Sequence, residues 1–229
     1  MMTMTMIRIL RYSLFILILL LPLAAFSQEK DFGIWYGISA EHKLSKKFEI
    51  DLSANIRTFE NASKIEEAFI EGGATYNLNK KLSVAGSYRL TKALENNNSY
   101  YLRHKYLIDL KGTLPVGDFT LSCRLRYQIL IKNYIQHEVD KYPSYTGRIK
   151  VKLVYHTKTF PVNPYIYIES FCPMFSKYSG TIGKNRYSAG LEFKITKRQS
   201  VETEYIFQRD YQTHLSDINI ASINYTIKF

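Results

Sequence analysis

Apolar and polar residues alternate with period two along most of this chain from Asp31 onward, in segments of about 11 to 14 residues. That is the pattern of a strand with two unlike faces. The first segment sets Ile34, Tyr36, Ile38, Ala40 and Leu44 against Ser39, Glu41 and Lys43. The second opposes Phe48, Ile50, Leu52, Ala54 and Ile56 to Glu49, Asp51, Ser53, Asn55 and Arg57. The sixth is the cleanest: Phe119, Leu121, Cys123, Leu125, Tyr127, Ile129 and Ile131 face away from Thr120, Ser122, Arg124, Arg126 and Gln128. Alternation also marks 82–91, 144–156, 185–195, 200–210 and 217–229, and is noisier over 65–78, 99–114 and 161–172. These make eleven candidate strands in one meander, with no linker or low-complexity stretch.

Alternation does not say which face is inside. A soluble barrel buries its apolar face, whereas a membrane barrel turns that face to lipid. Three signals favour the membrane. Short connections such as Ser45-Lys46-Lys47, Asn79-Lys80-Lys81 and Val116-Gly117-Asp118 take turns with mostly longer polar ones near 60–64, 94–98, 132–143, 173–184 and 211–216. Short periplasmic turns and longer outer loops are the habit of outer-membrane barrels. The 19 Tyr and 13 Phe are plentiful, and many lie near segment ends, where interfacial girdles sit. The last segment closes on Tyr225, Ile227 and Phe229, which resembles the signal that barrel-assembly machinery reads. The expected fold is therefore all-β: an antiparallel up-and-down transmembrane barrel of 10–12 strands. Eleven is awkward, since single-chain bacterial barrels keep both termini in the periplasm and have even strand numbers. Counting back from Phe229, the first strand starts on the outer side. Either the residues before it climb through the lumen or one segment does not span.

The N-terminus supports export. Arg8 and Arg11 precede an apolar run from Tyr12 to Leu23, then Ala24, Ala25, Phe26 and Ser27. Charge, about a dozen apolar residues and a small-residue ending read as a signal peptide over 1–27, cut before Gln28. The barrel then occupies 28–229. No Cys follows the run, which excludes a lipoprotein. The expected location is the outer membrane of a Gram-negative cell.

Composition adds charge. The 229-residue chain carries a formal +11. No basic helix or zinc spacing supports nucleic-acid binding. Anionic lipopolysaccharide beside the barrel is the plainer explanation.

The polar faces hold the informative pattern. The fifth to seventh segments place Arg103, Lys105, Asp109, Lys111, Arg124, Arg126, Arg148, Lys150 and Lys152 on one wall. The second, third, ninth and tenth place Glu49, Asp51, Arg57, Glu67, Glu71, Glu192, Lys194, Glu202 and Glu204 on another. Closing the sheet sets a basic wall across the lumen from an acidic one. Two readings follow: a salt-bridged plug, or a transverse field across a narrow wetted pore. An arginine at lipid-facing Leu125 is expected to cost about 2–4 kcal/mol and loss of lumen-facing Arg126 far less, whereas a greater cost at Arg126 would mark the plug.

Catalytic chemistry is sparse. His137-Glu138 with Asp140, or His214 between Asp210 and Asp217, are acid–base candidates at the rim. There is no lipase-like serine motif, no histidine pair at metal spacing and no CxxC. Cys123 and Cys172 fall at different heights on strands two places apart, so no disulfide is expected. No cofactor or metal is implied and no enzyme is expected.

A first strand like DFGIWYGISAEHKL, turns of the LNKKLSV type, and the segments YYLRHKYLIDL and CRLRYQILIKN resemble the outer-membrane barrels grouped as domain of unknown function 2490. The resemblance covers the whole mature chain. It implies an outer-membrane barrel and transfers no catalytic residue. The sequence thus points to a non-enzymatic barrel, either a structural component or a narrow channel for small polar solutes. Its expected partners are outer-membrane lipid, lipopolysaccharide and the assembly machinery. A rim hydrolase or a surface-loop binding barrel are the rival readings. The oligomeric state is not legible.

Overall fold

A computed structural model describes residues 31–135, 137–212 and 217–229. All eleven alternating segments are strands: β1 (Asp31–Lys43), β2 (Phe48–Phe59), β3 (Lys64–Asn77), β4 (Leu82–Leu94), β5 (Tyr100–Val116), β6 (Phe119–Lys132), β7 (Ser144–Tyr155), β8 (Val162–Met174), β9 (Lys184–Lys194), β10 (Gln199–Asp210) and β11 (Asp217–Lys228). A 3-10 turn, Glu138–Lys141, sits between β6 and β7. Among the described residues no helix is long and apolar enough to cross a membrane.

Consecutive strands pair antiparallel, and β1 meets β11 in parallel to close a barrel. An odd count forces that arrangement, because ten antiparallel steps return the last strand to the direction of the first. The seam runs from Asp31↔Ile218 to Glu41↔Lys228. Two contacts fasten its end: the Phe229 amide donates to the Glu41 carbonyl at 2.9 Å, and Lys228 Nζ lies 3.0 Å from the Glu41 carboxylate. Every segment joins the closed sheet, so no segment fails to span, while the residues before Asp31 lie outside the described residues. Asp31 therefore starts β1 at the rim of the longer loops, called here the loop end; the opposite rim is the turn end.

Burial settles the faces. Leu125 is 48 % exposed, while the side chain of its neighbour Arg126 is 9 % exposed. The same inversion runs along β2, where Phe48, Ile50, Leu52 and Ile56 are exposed and Glu49, Asp51 and Arg57 are partly covered. Among the described residues, buried polar and charged side chains outnumber buried apolar ones, thirteen to seven. A soluble barrel would show the opposite, so the apolar face is the outer one and the lumen is the polar core. Outward aromatic rings gather at the turn end: Phe48 pairs in register with Tyr76, and the Phe119 and Tyr155 rings lie 5.0 Å apart.

One irregularity shapes the lumen. Between β2 and β3 the register shifts at Arg57/Thr58, so that Arg57 opposes Glu67 while Thr58 opposes Ile65. Glu66 is the extra residue of this β-bulge. Both Glu66 and Glu67 consequently border the loop-end lumen.

Candidate functional site in the lumen

Inward side chains of neighbouring strands stand within reach of each other, and long charged ones reach a strand further. The lumen charges use that reach. Arg126 of β6 grips Asp109 of β5 with two hydrogen bonds, 2.6 and 2.7 Å. Glu169 of β8 accepts from Arg124 at 2.6 Å and from Arg148 at 2.8 Å. Glu67 takes Arg57 at 2.6 Å and Lys105 at 3.2 Å. Arg89 binds Glu71 at 2.5 Å, and Arg103 binds Glu95. These pairs run along the wall, between adjacent or next-but-one strands. The picture of one basic wall facing one acidic wall is thus incomplete, because most strong pairs never cross the lumen. Arg57, grouped with the acidic wall, neutralises one of its members. The Glu169 side chain is only 4 % exposed, and a buried carboxylate needs the two guanidinium partners it has.

Toward the turn end the bases rest on tyrosines. Lys150 Nζ lies 3.4 Å from the centre of the Tyr167 ring and Lys152 Nζ 3.6 Å from that of Tyr165. Lys152 is 3.8 Å from Glu202, one of two ion pairs joining the basic group to the acidic set above, the other being Lys105 with Glu67. The Tyr165 hydroxyl donates to Glu202 and Glu204, each at 3.3 Å, and Ser188 donates to Glu204 at 2.8 Å. Glu192 accepts from Asn163 at 3.0 Å. Gly190 permits this packing: a Cβ there would lie 2.5 Å from Cζ of Tyr165. Glu49 and Asp51 stand in register with Lys43 and Glu41, and Lys111 with Arg124. Lys194 is exposed beside the turn end.

The loop half of the lumen holds a cavity of about 310 Å³. Its charged lining is Arg57, Arg89, Arg103, Lys105, Arg148, Lys184 and Arg186 against Glu66, Glu67 and Asp210. Trp35, Phe171, Gln128, Thr146, Gln208 and Gln212 also border it. Guanidinium groups and rings alternate around this level. Arg89 lies 3.9 Å from the Phe69 ring centre; Arg57 lies 4.9 Å from Phe69 and 4.0 Å from Trp35. Arg186 lies 4.7 Å from Trp35 and 4.7 Å from Phe171, and Arg148 4.4 Å from Phe171. The series passes from β4 through β3, β2 and β1 to β9, β8 and β7. Stacking fixes each guanidinium by its face and leaves its N–H edge to make hydrogen bonds. Neither the cavity nor this girdle, nor Glu169, Lys184 and Arg186, figures in the wall groups read from sequence. For Lys184 and Arg186 the signal was present, since β9 alternates them with Asn185 and Tyr187.

The rim candidates are otherwise engaged. Asp140 accepts from Lys132 Nζ at 2.7 Å and from the His137 backbone amide at 2.9 Å, closing the 3-10 turn. Glu138 binds Lys141 at 2.7 Å. Asp217 is held by two bonds from Arg209, both 2.8 Å. His214 lies outside the described residues, as does the proposed leader. Cys123 and Cys172 are free. Tyr225 and Ile227 lie on β11 opposite Ile38 and Ala40 of β1, and Phe229 follows the strand, exposed. No three His, Cys, Asp or Glu side chains among the described residues converge at metal-ligand spacing.

A solved porin shares the architecture, and two further barrels resemble it more loosely. The NanC porin is 14 % identical over 82 % of this chain and 94 % of its own, with a TM-score of 0.52. The β domain of the Bordetella autotransporter Brka is 10 % identical, covering 80 % and 82 % of the two chains at 0.48. An anion-selective porin from Comamonas acidovorans is 11 % identical, covering 78 % and 53 % at 0.41. At 14 % identity the likeness to the NanC porin is one of fold, a closed β-barrel of the porin kind. No curated protein matches the sequence. The family described as "Protein of unknown function (DUF2490)" matches residues 32–219, and the chain belongs to that family.

Proposed function

We propose that this chain is an exported, non-enzymatic outer-membrane barrel that serves as a narrow conduit for small polar solutes and favours anions at its loop end. The observation that carries the reading is the loop-half cavity of about 310 Å³, lined by seven basic and three acidic side chains. Rings of Arg and Lys favour anions in narrow pores, and the low-dielectric wall strengthens their field. Ion pairs at mid-height, such as Arg126–Asp109 and Arg148–Glu169, keep the passage tight. The short turns face the periplasm and the longer loops face out, beside lipopolysaccharide. The leader is removed before Gln28, and the strand ending at Phe229 presents Tyr225 and Ile227 to the assembly machinery. N-terminal sequencing of membrane fractions tests the leader, with Gln28 as the expected first residue.

The conduit is tested by planar-bilayer recording across a potassium chloride gradient. A reversal potential on the chloride side is expected. Cation preference contradicts the reading. Silence of folded protein favours the second reading, a closed plug, which the nearly buried mid-height ion pairs support.

A further inference from the structure

Most of the guanidinium groups at the loop-half cavity have a carboxylate. Arg57 has Glu67, Arg89 has Glu71, Arg103 has Glu95 and Arg148 has Glu169. Arg186 differs. It is 8 % exposed, wedged between the Trp35 and Phe171 rings, and borders the cavity. Its Nε donates to Gln208 Oε1 at 2.7 Å, which fixes the plane of the fork. Among the described residues it has no carboxylate within ion-pair distance. A nearly buried guanidinium without a counter-charge is costly unless something supplies one. The nearby carboxylates offer little, because Glu67 and Glu169 are each already shared by two bases, and Glu66 and Asp210, which also border the cavity, are not within ion-pair distance of Arg186.

We propose that Arg186, clamped between Trp35 and Phe171, is the binding site for the carboxylate or phosphate group of a small anionic solute. A guanidinium fork pairs two oxygens of either group side by side, which chloride cannot match. The two rings hold the fork rigid, so little freedom is lost when the anion arrives. The cavity volume limits the occupant to one small molecule. This deepens the conduit reading and rests on the same lumen, since it gives the route a stopping place for a particular kind of anion.

Trp35 is the sole tryptophan of the chain and reports on the site directly. Folded full-length protein in detergent micelles is titrated with inorganic phosphate, and separately with acetate, each replacing chloride at constant ionic strength. A saturable change in tryptophan fluorescence is expected with at least one of them, and which one saturates names the group preferred. Arg186→Gln raises the half-saturation concentration about tenfold to a hundredfold, the size of a lost charge-assisted hydrogen bond. Arg186→Lys, which keeps the charge and loses the fork, falls between the two. Arg209→Gln, on an exposed pair at the rim, leaves binding as it was. Heat-dependent electrophoretic mobility confirms that each variant is folded. A change that tracks ionic strength alone, or equal affinity in folded Arg186→Gln, overturns the site. Binding without bilayer current retains the site and removes the conduit; current without binding does the reverse.

Discussion

Arg126 and Leu125 are chain neighbours with opposite surroundings, and their substitutions separate two kinds of cost. Leu125 is 48 % exposed on the apolar outer face, so Leu125→Arg sets a charge against lipid at about 2–4 kcal/mol. Sequence alone makes Arg126→Leu the mild change. The structure reverses that, because Arg126 is nearly buried and holds Asp109 by two hydrogen bonds. Removing one partner of such a pair costs about 3–5 kcal/mol. Arg126→Leu with Asp109→Leu leaves no bare charge, and is expected to recover most of the loss. Denaturant unfolding of the four chains in detergent measures the cycle. Additive losses would show that the pair is not coupled. Legibility fails here for a physical reason: alternation reveals the face of a residue and not its partner. Glu169 illustrates it, since Tyr165 and Tyr167 point into the lumen of β8 beside outward Ile166 and Ile168, which makes both faces look apolar.

Strand existence was legible because lipid outside and charge inside impose a strict period of two. The strands read least cleanly, β3, β5 and β8, carry buried apolar or aromatic side chains on the lumen face, Phe69, Leu107, Tyr165 and Tyr167, although β10 and β11 also bury Ile206 and Ile220. The odd count was legible too, but the rule for even numbers argued against it. Parallel closure depends on pairing between segments almost a whole chain apart, which no local pattern encodes. It is testable by cross-linking. Ile38 and Tyr225 are directly paired across the seam, close enough for a disulfide if the register holds, which requires Cα atoms within about 7 Å. In a chain with Cys123 and Cys172 replaced by Ser, the pair Ile38→Cys and Tyr225→Cys is expected to cross-link on mild oxidation of folded protein and shift its electrophoretic mobility. A folded chain that does not cross-link would place β1 elsewhere.

For the whole molecule, the alternation of connection lengths and the closure together give the barrel two unlike ends. The basic cavity lies at the loop end, so sidedness decides which compartment meets it. A cysteine at Asn97, in the exposed β4–β5 connection, is expected to react with a membrane-impermeant reagent on intact cells. One at Lys80, in the β3–β4 turn, is expected to react only after permeabilisation. The opposite pattern would turn the cavity toward the periplasm. Underneath sidedness, cavity and seam stands one claim: the apolar face of the sheet meets lipid and the charged face encloses the lumen. Spin labels placed singly from Phe119 to Arg126 of β6, in protein reconstituted into bilayers, test it directly. Collision with dissolved oxygen is expected to be high at 119, 121, 123 and 125 and low at 120, 122, 124 and 126. Absence of alternation, or oxygen access greatest at the even positions, would contradict the account.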